Sequence, residues 1–500
     1  MSGLFNTLNT ANKGLMASQT ALHTTGHNIS NANTPGFSRQ RVEMKADLAF
    51  NYAGVGQLGT GVKMESVIRM VNDYVSKQIR QENSTLQEFA SKAEVMEQLE
   101  VIFNEPSDTS LNTDIGKMFD SWVELSKNPE MLTSKTIVVE RSKTLADTFN
   151  HMMTQIDALE AETTGMIEKN VTDFNATIDK LESLNRQIFN VAVKGNVPND
   201  LLDQRDLLLQ DLSSMANIDA EFDQYSRVSV GIGGEKDNLL KAGESAKHLG
   251  YSEEVGIVLT DKDGKLVDKD GNPIKTENED IVKIKIGSGE IKGRLSALED
   301  IEGRRNELAN FGITMARAIN KVHTSEDGGP YIFGFDTKTK TLKVNEVLLK
   351  DPSLIQAGKG KVSSEENEDG SPVGDGSRAL LISRLRNAKI NFSANPTFDD
   401  GFIDLDNLTL KDQDGGNTIG GYYNNIVTSV GISKEHADNM VANQEVLMGQ
   451  LDLRRESVSG VHFDEEISNL IKFQSAYSAN ARVISVLTEM LDTLINRTGV

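Results

Sequence analysis

Between Leu132 and Val193 the chain contains no proline and a single glycine, Gly165. Leu145, Phe149, Met152, Ile156, Leu159, Met166, Phe174, Ile178, Leu181, Leu184 and Ile188 recur through it at helical spacing. Periodicity sustained over so long a run exceeds an ordinary globular helix and predicts an element of an elongated bundle. Further helices are expected on either side. Leu86, Phe89, Ala93, Met96, Leu99 and Phe103 share one face until Asn104-Glu105-Pro106, and Leu111, Ile115, Met118, Phe119, Trp122 and Leu125 another until Asn128-Pro129. Proline belongs outside such patterns, because it lacks the N–H and clashes with the preceding turn. Leu201, Leu202, Leu208, Leu209 and Leu212 predict a helix over 200–215. A helix from about Gly293 carries Leu298, Ile301, Leu308, Phe311, Ile313, Met315 and Ile319, and another covers 422–456, pausing at 457–460.

Two stretches leave this pattern. From Tyr225, glycine and Asp-Gly pairs punctuate short alternating runs; VGIVLTDKDGKLVDKDGNPI and DIVKIKIGSGEIKGRL predict strands joined by tight turns. From about Ser325, GGPYIFGFDTKTKTLKVNEVLLKDPSLI alternates like strands. SSEENEDGSPVGDGS is expected to be an exposed acidic loop and 377–389 a short helix.

The two ends repeat a pattern of their own. Leu4, Leu8, Ala11, Leu15, Ser18, Leu22, Thr25 and Ile29 alternate steps of four and three. So do Phe463, Ile467, Leu470, Gln474, Tyr477, Ala481, Ile484, Thr488, Leu491 and Ile495, with Leu487 and Leu494 widening the stripe. Such a repeat keeps one face of a helix against a partner helix. The N-terminal seam is thin and its helix needs packing from elsewhere, so the termini are expected to pair with each other and then with neighbouring copies. The first helix should end near Asn31, where asparagines and Thr34-Pro35-Gly36 favour a turn; loop and minor strand follow. The expected fold is mainly α with inserted β domains. Residues 1–70 and 457–500 form a terminal coiled-coil domain with an extended linker. Residues 71–224, 289–324 and 415–456 form a central helical bundle, and 225–288 and 325–414 are outer β-rich insertions.

The formal charge of −22 argues against broad attraction to nucleic acid or anionic membrane, and the lack of cysteine excludes thiolate chemistry. No run of apolar residues is long enough for membrane insertion. A cleaved general-secretory signal is not expected from the first residues. His23 and His27 have the i,i+4 spacing of zinc-binding helices but no adjacent glutamate base and no third ligand. Asp261, Asp263, Asp268 and Asp270 miss the calcium-loop signature, and their Asp-Gly pairs read as hairpin turns. Neither 230–234 nor 357–361 is a phosphate loop, and no serine sits in a nucleophile elbow. The chain reads as a non-enzyme with no cofactor, metal or catalytic residues.

Asn28-Ile-Ser-Asn-Ala-Asn-Thr-Pro-Gly-Phe-Ser-Arg-Gln40 resembles the N-terminal motif of bacterial flagellar rod, hook and hook-associated proteins. Ser38-Arg39-Gln40, and the run from Ser459 to Ile495, look like the members that join hook to filament. Residues 303–322 fit that family's central helix less closely, and the β regions match by position alone. The resemblance implies a secreted, extracellular structural subunit of the flagellum, exported unfolded through the type III apparatus. It would self-assemble as a ring between the hook protein and a second junction protein, with a dedicated export chaperone on the C-terminal helix. The positions it implies for assembly are Asn31, Asn33, Pro35, Gly36 and Phe37, then Asp464, Glu465, Glu466, Leu470, Phe473, Gln474, Tyr477, Asn480 and Ala481. The seams add Leu4, Leu8, Leu15, Leu22, Ile467, Ile484 and Leu491. Two alternatives are another axial subunit, of hook or filament type, and a secreted adhesin with β domains on a helical stalk.

The seam is testable. Leu491→Asp would place an unpaired carboxylate where burial is costly. Co-assembly and chaperone binding are expected to fall; unchanged values in polymerisation and pull-down assays would show that the seam lies elsewhere.

Overall fold

The computed structural model describes residues 2–52, 56–103, 110–235, 238–268, 274, 281–324, 329–359, 374–398, 401–404, 407 and 409–497. In chain order it opens with helix α1 (Ser2–Asn31) and strands β1 (Gln40–Ala46), β2 (Phe50–Tyr52), β3 (Gly56–Leu58) and β4 (Val62–Arg69). Four helices follow: α2 (Asp73–Phe103), α3 (Leu111–Lys127), α4 (Leu132–Ala192) and α5 (Asn199–Met215). Next are β5 (Ile218–Phe222), β6 (Val228–Ile232), β7 (His248–Ser252), β8 (Gly256–Thr260) and α6 (Glu290–His323). Then come β9 (Phe333–Asp336), β10 (Thr341–Val344), α7 (Glu346–Lys350), α8 (Ser377–Arg384), β11 (Ile403–Asp404) and β12 (Thr409–Leu410). The chain closes with α9 (Ile419–Ser459), α10 (Phe463–Asp492) and a short π-helical turn over Thr493–Arg497. Every strand pairing is an antiparallel two-stranded ribbon.

The chain divides into two compact units, one of residues 1–88, 168–292 and 441–500, the other of 89–167 and 293–440. In the second, one core gathers Phe103, Phe119, Trp122, Phe149, Phe311 and Tyr423 with aliphatic residues from α2, α3, α4, α6, α8 and α9. α3 starts where Ser110 accepts the Thr113 N–H and stops where the Asn128 N–H reaches back to Glu124 and Leu125. At the end of α6, His323 is fully buried: one ring nitrogen lies 2.8 Å from the Pro330 carbonyl and the other accepts the Gln356 N–H at 3.0 Å. Those two bonds require the neutral ring.

The first unit contains α1, α5, α10, the β1–β4 hairpin, β5 to β8 and parts of α2, α4, α6 and α9. Asparagines on α4 hold its ribbons. Asn185 donates to the Val228 carbonyl and accepts the Val228 N–H, at 2.8 and 2.9 Å. Asn175 grips Leu249 in the same way, both bonds 2.8 Å. Within the second unit, Asn150 does this to Leu342.

The main helices fall where periodicity places them; several strands do not. The first ribbon begins at Ile218, ahead of the expected Tyr225, because β5 pairs with β6 across a turn around Ser226. The DIVKIKIGSGEIKGRL run is not a strand throughout. Residues 282–284 hydrogen-bond to β8, but Gly289, at φ +101° against the Ala216 backbone, turns the chain into α6. NEVLLK is helical, since Asn345 caps Val347. The β1–β4 ribbon packs on α1, so Gln40–Ala46 and Val62–Arg69 pair as antiparallel strands where loop and minor strand were expected. Asp261 accepts the N–H groups of Asp263 and Lys265, holding the turn expected there. The Asn104-Glu105-Pro106 stop, the turn at 270–271 and all of the acidic loop except 374–377 lie outside the described residues.

Burial lowers the His323 pKa from 6.5 to about 3. The unfolded chain binds a proton there below about pH 6.5, whereas the folded chain does not until about pH 3. The contribution is therefore complete above the first value and is lost as pH falls toward the second. From pH 7 to pH 5 wild type should lose about 2 kcal/mol through this ring, at 1.36 kcal/mol per unit. Urea unfolding of His323→Gln at the two pH values should show a drop smaller by that amount.

Candidate functional site

α1 ends in a tight turn. The Asn31 carbonyl accepts the Thr34 N–H at 2.9 Å, the Thr34 carbonyl accepts the Phe37 N–H at 3.2 Å, and Gly36 takes φ +75°. The Asn31 amide bonds back to the His27 carbonyl, and the Phe37 ring meets His27 edge-on at 5.4 Å. The turn aims the next three residues at three different partners.

Ser38 donates its N–H to Asp203 of α5 at 3.2 Å. Arg39 forks onto two carboxylates of α10, Nη1 to Glu465 at 3.0 Å and Nε to Glu466 at 2.8 Å, while its N–H donates to the Ser459 carbonyl. Gln40 is gripped by Asn28 of α1, which accepts its N–H and donates to its carbonyl, both at 2.9 Å. The Asn28 amide also donates to Glu466 at 3.0 Å. The Gln40 amide reaches α5, donating to Asp200 at 2.9 Å and accepting from Asn199 at 3.3 Å. Glu466 is only 2% exposed, so its carboxylate is sustained by Asn28 and Arg39.

A second ionic group anchors the hairpin on α5. Arg69 donates to Asp203 at 2.7 Å and Asp206 at 2.9 Å, and Arg205 donates to Asp206 and lies over the Phe222 ring. Burial raises the Asp203 pKa, although Arg69 and Ser38 pull it back.

Above this base α1 and α10 pack along their length. Ala11, Ala17, Ser18, Ala21, Thr24, Thr25 and Asn28 are the buried residues of α1, while Leu4, Leu8, Leu15 and Leu22 are half-buried. Gly14 lies against the Asn480 side chain, where even a Cβ would come within 2.9 Å. On α10, Glu466 and Leu487 are buried, and Leu470, Phe473, Tyr477, Asn480, Ala481, Ile484 and Leu491 are half-buried. The C-terminal seam is therefore rotated from the expected one. Phe463, Ile467, Gln474, Thr488 and Ile495 are exposed, as are Asp464 and Glu465. The rotation follows from the Glu466 and Asn480 contacts, which turn the helix by a polar residue at one end and a close approach in the middle. Ile471, Val483, Val486 and Met490 are also exposed, so the pair presents an apolar exterior. Asn33, Pro35 and Gly36 are exposed at the turn, and Phe37 is half-buried.

Asn28, Arg39, Gln40, Arg69 and Asp203 are structural determinants that seam periodicity does not reveal. For Asn28, Arg39 and Gln40 the signal is polar residues in or beside the Asn-rich, turn-rich stretch, whereas Arg69 of β4 and Asp203 of α5 lie far from it in sequence.

Family models match in three places. Residues 8–37 match "Flagella basal body rod protein", 96–328 "Flagellar hook-associated protein FlgK helical domain", and 455–497 "Flagellar basal body rod FlgEFG protein C-terminal". The chain is similar to the flagellar rod, hook and hook-associated protein family at both ends and through the helical region between them. Within that family it is similar to flagellar hook-associated protein 1. It is 29% identical to that protein of Bacillus subtilis, covering 100% of this chain and 99% of the relative. It is 24% identical to that of Escherichia coli, covering 98% and 99%. The fold is shared with the flagellar hook junction protein FlgK from Burkholderia pseudomallei, at TM-score 0.59 and 14% identity, over 77% of this chain and 100% of that one.

Asn28→Ala would leave the Gln40 N–H and carbonyl unpaired and remove one partner of a buried carboxylate. The expected loss is about 2–3 kcal/mol, with faster amide exchange at Gln40. Urea unfolding with hydrogen-exchange mass spectrometry checks both; an unaltered Gln40 amide would show that the grip is dispensable.

Proposed function

We propose that the paired termini are the surface by which this chain is built, copy beside copy, into a ring at the flagellar junction. The chain is a structural subunit joining hook to filament, an exported, extracellular part of the flagellum that self-assembles and associates with other axial components. The observation that carries this is similarity along the whole chain to flagellar hook-associated protein 1, termini included. The geometry supports the role given to the termini. A helix pair held at its base by buried ion pairs, yet apolar outside, gains burial when copies pack together.

In this reading the flagellar hook protein lies on one side of the ring and a second junction protein on the other. The export chaperone covers exposed apolar residues of α10 such as Ile467, Ile471 and Val483 before secretion. The assembly set is the turn at Asn31, Asn33, Pro35, Gly36 and Phe37 together with α10 from Asp464 to Leu491 and the α1 leucines. The relatives are structural flagellar proteins, and this chain performs its role without catalysis or cofactor.

A strain deleted for the gene should make complete hooks without attached filaments, and the gene should restore attachment. Normal filaments in the deletion strain, or failure of the intact gene to restore them, would overturn the junction role.

A further inference from the structure

Of the chain's seven histidines only His323, the last residue of α6, is fully buried, and its surroundings suit a neutral ring alone. The Gln356 N–H needs the lone pair of Nε2, so the ring proton sits on Nδ1 and is donated to the Pro330 carbonyl. One imidazole thereby ties down two turns that are separate in sequence, 329–331 and 352–356. Gly329 lies against the ring, where a Cβ would stand 2.5 Å from His323 Cε1. The Trp122 indole of α3 meets it edge-on, with 6.2 Å between centroids. The charged groups that bear on the ring are both cationic. Arg378 of α8 donates to the His323 carbonyl at 3.1 Å, and Lys135 of α4 donates to the Ser353 carbonyl at 2.9 Å. Asp351, beside the second turn, acts on Lys135, and Lys321 of α6 itself is exposed. Burial, reinforced by the two cations, holds the ring's pKa down to about 3. A second proton, on Nε2, would take the lone pair that Gln356 uses. It would set two N–H groups against each other and add a buried cation beside two others.

We infer that His323 is an acid-released staple: uptake of one proton at Nε2 frees the 329–331 and 352–356 turns from the end of α6 while the surrounding helices stay folded. The two turns are what must move for water to reach the ring, since they supply both its hydrogen-bond partners and the backbone lying against it. The helices keep a hold of their own. Phe119, Trp122, Leu145, Phe149, Phe311 and Leu381 pack them together through apolar contacts that carry no proton. The chain is an extracellular part of the flagellum, so the ring answers to the pH of the surrounding medium. Acid loosens this face of the unit first.

Hydrogen-exchange mass spectrometry on the full chain from pH 7 to pH 4 tests this, with Trp122, the one tryptophan, as a fluorescence reporter. After correction for the intrinsic exchange rate, protection over 352–358, including the Gln356 amide, should fall about tenfold per pH unit between pH 6 and pH 4. Peptides of α3 and α4 and the far-UV circular dichroism should hold constant over that range, while Trp122 emission changes. His323→Gln, which cannot titrate, should abolish both pH dependences. Constant protection over 352–358 in acid, or protection lost only together with the helices, would overturn the staple. So would a pH dependence that persists in the folded His323→Gln variant. If that variant does not fold, the wild-type slope decides: one proton per opening supports the staple, and none, or two or more, refutes it.

Discussion

A helix-borne asparagine that grips both backbone groups of one residue on an adjacent strand recurs through this molecule. Asn28 holds Gln40, Asn150 holds Leu342, Asn175 holds Leu249 and Asn185 holds Val228. Two-stranded ribbons are marginal by themselves and expose unpaired edges. A carboxamide is the side chain that can answer an N–H and a C=O at once, because it carries a donor and an acceptor at the spacing of a peptide group. Each grip removes an open edge position and fixes the ribbon's register on its helix. This lets a mainly helical chain carry isolated ribbons without a continuous sheet to support them.

At Asn28 the same device has a further consequence. Its amide bonds Glu466 as well as Gln40, and Glu466 is shared with Arg39, so α1, the hairpin and α10 meet at one buried polar group. Buried polar contacts in an otherwise adaptable seam are how paired helices select one register. The small residues of α1 supply closeness but little shape: a stripe of Ala, Ser and Thr can slide. The base supplies the discrimination that the seam lacks.

Helix positions were legible in the sequence because proline, caps and long apolar periods act locally. The Asn128-Pro129 stop and the span of α4 are examples. The ribbons were less legible. Ile218-Asp-Ala-Glu-Phe follows a helix and alternates too briefly to stand out, and its strand character comes from Val228–Ile232 across the turn. The NEVLLK run has strand-like residues, yet a single Asn345 cap makes it helical. The terminal pairing was visible as two matching stripes, but the facing residues were not. Heptad steps place Ile467 in the seam, where a long-range bond between Asn28 and Glu466 puts Glu466 instead. Periodicity ranks residues by hydrophobicity and so passes over a buried glutamate, whose burial is intelligible only once its partners are known.

An exposed apolar face on α10 and a strongly acidic chain make opposite demands. Charge keeps separate copies apart in solution, while the unburied side chains of α10 are stabilised only by close neighbours. Screening by salt weakens the repulsion beyond about 10 Å and leaves the short-range apolar contact unaltered. Association is therefore governed by whether copies are held at contact distance more than by affinity in dilute solution. A polar base that fixes the helix register in advance removes part of the ordering cost of that contact. The exterior can then remain adaptable, because the geometry it must match has already been set inside the pair.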